Sequence, residues 1–270
     1  MSKLLAAAAA ALALGAGRAG AAGRLADPYP AVTAASYLVE VDGRPLWGRA
    51  PDQPRPPASL TKIMTALLLL ERDWAPEAVV TVSRRAAGET GSRLGLRAGD
   101  RLTARDALRA MLIGSANDAC LALAEHAAGG ARAFVARMNR RAAALGLAAT
   151  HFENPCGHDA PDQRSSARDL LALTRAALAL PEFRLTVGAT RVRLSTRGGR
   201  SFDLVNHNLL VGRVEGARGV KTGYTPRAGK CVVALAVRAG VEVLVVLLGA
   251  PDRFWNAAGL VDLAFEASRG

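Results

Sequence analysis

Pro57-Ala58-Ser59-Leu60-Thr61-Lys62-Ile63-Met64-Thr65-Ala66 sets a serine three residues ahead of a lysine, at the start of an apolar run that continues through Leu70. Arg55-Pro56-Pro57 is a rigid stop, because proline fixes its own φ and biases the residue before it away from the helix. Ser59 is therefore expected to open a helix, which places residues i and i+3 on one face. Ile63, Met64, Ala66 and residues 67–70 make that helix apolar nearly all round, so it is expected to be buried. Lys62 then meets either desolvation, which lowers an ammonium pKa, or a polar cleft. In both settings a neutral amine can take the hydroxyl proton of Ser59, and the amides of the helix N-terminus can hold an oxyanion. Taken alone, Ser-x-x-Lys is a common pattern whose ordinary meaning is a capped helix with a snorkelling lysine.

The lysine count gives the pattern weight. Lysine and arginine together number 35, yet lysine occurs only as Lys3, Lys62, Lys221 and Lys230. Guanidinium stays protonated, whereas a buried ammonium can lose its proton. A chain that writes nearly every cation as arginine has kept lysine at two motif positions, 62 and 221.

Outward from this segment, residues 36–41 and 44–49 flank Asp42-Gly43, a two-residue hairpin signal. Downstream, the apolar spacing predicts helices over 103–112, from Asn117 to about 128, and over 131–145 and 167–179, with Ser165 or Ser166 capping the last. Strand character returns at 190–195 and 201–205. Residues 231–237 and 241–248, joined by Arg238-Ala239-Gly240, read as a buried hairpin. A packed terminal helix is expected over 254–267. Strands at both ends with helices between imply an α/β (α+β) fold: an antiparallel sheet flanked by helices, with a helical subdomain.

The N-terminus reads as a leader. Met1-Ser2-Lys3 is a charged n-region, residues 4–17 are apolar but short for a membrane span, and Ala19-Gly20-Ala21 offers a cleavage site. The expected organisation is a signal peptide over 1–21, a single domain over 22–270, and no second β-rich domain. Export to the periplasm or cell envelope follows. Loss of Lys3 and Arg18 takes the net charge from +12 to +10, which suits weak contact with an anionic membrane surface. The arginines are scattered without aromatic interleaving, so nucleic acid is not an expected partner. Three cysteines allow at most one bridge, and Cys120 and Cys231 have apolar neighbours suited to packing as small hydrophobes.

Two further motifs stand beside the first. Ser115-Ala116-Asn117 links two helices and can aim a hydroxyl and an amide into a cleft. Lys221-Thr222-Gly223 supplies a cation, a hydroxyl and a position without a side chain where an extended ligand could pair with a strand. Strict strand alternation would put Lys221 and Thr222 on opposite faces, so both serve one site only at a sheet edge. In order and context the three resemble the Ser-x-x-Lys, Ser-x-Asn, Lys-Thr-Gly set of penicillin-binding proteins and serine β-lactamases. The wider phrases, including Ser115-Ala116-Asn117-Asp118-Ala119-Cys120, Gly219-Val220-Lys221-Thr222-Gly223-Tyr224-Thr225 and Asn206-His207-Asn208-Leu209-Leu210, resemble the low-molecular-weight D-alanyl-D-alanine carboxypeptidases across residues 33–266.

That resemblance implies a β-lactamase/transpeptidase-like fold and a serine enzyme that removes terminal D-alanine from peptidoglycan stem peptides and is acylated by β-lactams. It implies Ser59 as nucleophile, Lys62 as general base, and Ser115 as proton relay to the leaving group with help from Lys221. Asn117 would contact the substrate amide and Thr222 the terminal carboxylate. The oxyanion would lie between the N–H groups of Ser59 and Tyr224, with Gly223 beside them. His207 stands where some relatives carry arginine. No cofactor and no metal are expected: His151, Cys156, His158 and Asp159 are close in sequence but match no zinc-peptidase spacing. A class A β-lactamase would need Glu-x-x-Leu-Asn between the second and third motifs, and the nearest glutamate stands in Glu153-Asn154-Pro155-Cys156-Gly157. A binding module that is acylated without turnover is the non-enzymatic alternative.

Overall fold

The computed structural model describes Leu25, Asp27, residues 32–71 and residues 74–269; the leader segment over 1–21 lies outside them. The Asp42-Gly43 turn joins β1 (Ser36–Val41) to β2 (Arg44–Arg49), with both turn residues at positive φ as such a hairpin requires. After the proline stop, one 3-10 turn (Ala58–Thr61) leads into α1 (Lys62–Leu70). The short β3 (Val79–Thr81), α2 (Arg84–Ala87) and β4 (Arg101–Thr103) follow. Then come α3 (Ala104–Ile113), α4 (Asn117–Ala128) and α5 (Ala131–Ala144). Next are α6 (Ala167–Leu178), whose N-cap Ser166 accepts from the N–H of Asp169, and α7 (Pro181–Val187). β5 (Arg191–Ser195) and β6 (Ser201–Val205) pair only with each other. The chain closes with β7 (Ala217–Thr225), β8 (Gly229–Arg238), β9 (Val241–Leu248) and α8 (Arg253–Ala267).

Five strands form one antiparallel sheet in the order β2-β1-β9-β8-β7. The late hairpin supplies its centre, where Ala234 pairs with Val245 and Tyr37 with Leu247. Alternate side chains of β8 and β9 enter two separate cores. Val233, Leu235, Leu244 and Val246 pack under α1, α3, α4 and α6, while Val232, Ala234, Val243 and Val245 pack under α8 through Leu260, Val261 and Phe265. This is the two-sided burial that makes both strands read as unbroken apolar runs. β7 is an edge strand, so its free side can face a ligand.

The antiparallel sheet with flanking helices matches the expected fold class, and the two hairpins and four central helices fall where the pattern placed them. The differences are short elements: α2, the β3–β4 pair and α7. Three or four residues carry too little periodicity to register, and α7 is a seven-residue helix with Pro181 at its first turn, too short for an apolar spacing to stand out. Among the described residues, no helix is long and apolar enough to cross a membrane.

Candidate active site

Ser59 sits inside the 3-10 turn that feeds α1, and the turn is strained at one residue and packed against two glycines. Ala58 adopts a left-handed backbone at φ +49°, a region costly for a residue with a Cβ. Gly157 packs so closely that a Cβ there would fall 2.0 Å from the carbonyl oxygen of Ala58. Gly223 of β7 touches the same turn: an added Cβ would lie 3.0 Å from both Ala58 Cβ and Ser59 N. Glycine at 223 is thus explained by the approach of β7 to the nucleophile's backbone rather than by room for a ligand.

Lys62 is fully buried, and its amine is bounded on three sides. Nζ lies 3.0 Å from Ser59 Oγ, 2.7 Å from Asn117 Oδ1 and 2.6 Å from the carbonyl oxygen of Cys156. Asn117 Nδ2 donates to Thr90 O at 2.6 Å, which fixes the orientation of that amide and leaves Oδ1 as the acceptor facing Lys62. A neutral amine has two N–H donors and one lone pair. Asn117 and Cys156 take the two donors, so the lone pair is left for the hydroxyl proton of Ser59. Burial pushes the Lys62 pKa down to about 7, and only the charge of Glu89 pulls it back up.

Ser115 follows α3 in a left-handed conformation at φ +56°, which turns its hydroxyl out of the helix path. Lys221 Nζ donates to Ser115 Oγ at 2.9 Å and to Thr222 O at 2.9 Å. Its pKa is driven well below the ordinary value, first by burial and then by the charges of Lys62 and Arg253. At the base of α4, buried Asp118 accepts the N–H groups of Leu94, Gly95 and Leu96, and so pins the segment that carries Thr90.

Ser59, Ser115, Thr222, Gly223 and Tyr224 all line one cleft of about 640 Å³. Lys62, Lys221 and Asn117 are buried beneath its floor. All eight residues expected at the site therefore converge. Asn117 differs in detail, since both ends of its amide are engaged by protein groups rather than turned to the cleft. The side chain of Tyr224 lies exposed at the rim, as suits a residue invoked for its backbone. His207 also lines the cleft, with its pKa lowered by the surrounding protein and by Lys221 and Arg253.

Arg253, at the start of α8, was not anticipated. It lines the cleft, donates to Gly223 O at 2.7 Å, and keeps a buried Nε without a partner. As one arginine in a chain full of them, it carried no signal in the sequence. Cys120 corrects an expectation too. It is bonded to Cys156, tying α4 to the segment whose carbonyl holds Lys62, whereas Cys231 is a buried free thiol. Glu153 is exposed, accepts from the N–H of Asp162, and does not line the cleft, so it offers no deacylating carboxylate of the β-lactamase kind. Among the described residues, no group of three His, Cys, Asp or Glu side chains could hold a metal ion.

A family model described as D-alanyl-D-alanine carboxypeptidase matches residues 24–252. The chain is 34% identical over 239 residues to D-alanyl-D-alanine carboxypeptidase DacF of Bacillus subtilis, covering 86% of this chain and 61% of that protein. It is 35% identical to D-alanyl-D-alanine carboxypeptidase DacB2 of Mycobacterium tuberculosis, covering 88% of this chain and 84% of that one. Among solved structures, the Streptomyces K15 DD-transpeptidase superposes with a TM-score of 0.82 at 29% identity, over 89% of this chain and all of that one. The chain spans about three-fifths of the length of several curated relatives it matches.

Proposed function

The chain belongs to the D-alanyl-D-alanine carboxypeptidase family, and on that premise we propose that it removes the terminal D-alanine of peptidoglycan stem peptides through an acyl-enzyme on Ser59. The observation that carries the reading is the buried amine of Lys62, 3.0 Å from Ser59 Oγ with both its N–H groups engaged elsewhere. Lys62 takes the Ser59 proton as Oγ attacks the carbonyl of the penultimate D-alanine. The oxyanion is held by the N–H groups of Ser59 and Tyr224. Ser115, fed by Lys221, returns a proton to the departing amine of D-alanine, and water then hydrolyses the ester. Thr222, with the unpartnered Nε of Arg253 nearby, receives the terminal carboxylate, whose charge also suits His207 when that ring is protonated. Asn117 acts by orienting Lys62.

A β-lactam presents the same carbonyl within a ring, so it would acylate Ser59 without releasing a diffusible leaving group. The leader over 1–21, export to the periplasm or envelope, and weak contact with an anionic surface belong to the same proposal. Intact-mass spectrometry after exposure to benzylpenicillin tests the nucleophile: one covalent adduct on the wild type, located on Ser59 and absent from Ser59→Ala. Release of D-alanine from a pentapeptide tests turnover. A folded, penicillin-labelled protein that releases none would leave only the binding-module reading.

A further inference from the structure

Lys62 is enclosed by a closed circuit of contacts, and one link in it is a glutamate–histidine hydrogen bond that the chemistry above does not use. Lys62 reaches Asn117 Oδ1, and Asn117 Nδ2 reaches Thr90 O. Thr90 follows Glu89, whose Oε2 lies 2.6 Å from His158 Nε2. His158 follows Gly157 and Cys156, and Cys156 O closes the circuit on Lys62. The Glu89–His158 pair therefore links the segment that orients the Asn117 amide, through Thr90 O, to the segment whose Cys156 carbonyl accepts from the amine. Each segment is also anchored at its base. Asp118 holds residues 94–96, and Asn154 Oδ1 accepts the N–H groups of Cys156, Gly157 and His158.

We propose that Glu89 and His158 are positioning residues for Lys62: their bridge holds the Thr90 and Cys156 walls closed on the amine and keeps one carboxylate beside it. The inference rests on reading Lys62 as the general base. A surface ion pair between long side chains usually contributes little, but here Glu89 is mostly buried and both partners sit within two residues of a group touching the reacting centre or its amide support. Glu89 is also the charge that offsets the effect of burial on Lys62. Other charged groups face the pair from every side: Arg85 of α2, Arg132 of α5 and Glu153 line the same groove. Lys221 of β7 feels the charges of Lys62 and Arg253, and His207 feels those of Lys221 and Arg253.

The scarcity of lysine makes the test direct. With lysine labelled at 13Cε, Lys62 is one of at most four resonances, assigned by its loss in Lys62→Arg. Its titration midpoint should fall by about half a unit or more in Glu89→Gln, because a neighbouring negative charge is removed. The double variant Glu89→Gln/His158→Gln should titrate as Glu89→Gln does, since His158 acts through Glu89. An unchanged midpoint in folded Glu89→Gln overturns the proposal. Should that variant fail to fold, Glu89→Asp draws the carboxylate back by one methylene, and its midpoint should fall as well; no change there overturns the proposal equally. The acid limb of benzylpenicillin acylation should move with the midpoint. A rate lowered equally at every pH, with the limb unmoved, would mean a purely structural role. The magnetic-resonance readout needs no turnover, so a wild type that is never acylated would sink the carboxypeptidase reading and leave this one to be judged by its own midpoints.

Discussion

At Lys62 the two oxygens of Asn117 and Cys156 use up both donors of a neutral amine, and only the lone pair remains for Ser59. Arginine would bring a fixed charge and a planar fork with no lone pair to offer. Lys62→Arg should therefore slow β-lactam acylation by about 10²-fold or more, the range in which general bases contribute, as followed by stopped-flow with a chromogenic cephalosporin. The same lone pair sets a pH dependence. With its pKa lowered to about 7, Lys62 is mostly neutral above that pH and gains a proton below it. Acylation should fall as pH drops through 7, by about tenfold per unit once the limb is reached. Stability follows the same group in the opposite sense to a paired lysine. Between about 7 and the ordinary value of 10.5 the unfolded chain binds the extra proton, so Lys62 makes stability rise with pH across that window. A flat acylation profile from pH 5 to 9 would contradict the neutral-amine mechanism.

Elements with strong local signals were legible, and those defined by tertiary contact were not. Asp42-Gly43 marked the first hairpin, β-branched runs marked β8 and β9, and Ser166 marked the start of α6. β3 and β4 are strands only because Val80 and Leu102 meet across 22 residues of chain, a pairing that no window of either segment encodes. The site divides in the same way. Ser59, Lys62, Ser115 and Lys221 sit in motifs, whereas Glu89, His158 and Arg253 matter through what the fold brings beside them. The Cys120–Cys156 bond is another such juxtaposition, since three cysteines give no pairing by themselves. It closes a 36-residue separation between α4 and the Cys156 segment, and loop closure of that size stabilises by roughly 3–4 kcal/mol. The double variant Cys120→Ala/Cys156→Ala should unfold at lower urea with a larger m-value, because the unfolded chain loses the cross-link that kept it compact. An unaltered midpoint would show that the bond adds nothing to the stability of this region.

On the scale of the whole molecule, the strand order fixes when the candidate site can be assembled. β1 lies near the start of the described chain and β9 near its end, yet Tyr37 pairs with Leu247 and Val39 with Val245. Neither β1–β2 nor β7–β8 can join a continuous sheet until β9 is available to lie between them. Sequence-distant pairing of this kind slows folding, because the entropy of closing a long loop is lost before any contact compensates for it. Ser59 and Ser115 belong to the helical half, while Lys221 is carried on β7 at the far edge of that late sheet. In refolding followed by quenched fluorescent-penicillin labelling, labelling competence should therefore appear in the same kinetic phase as amide protection of β9, and not with the earlier protection of α3 and α4. Labelling that precedes β9 protection would refute the coupling. The placement of one strand thus makes reactivity a late event in the life of each molecule: while β9 is unpaired, Ser59 and Lys62 wait in the helical half for a second lysine that has not yet arrived.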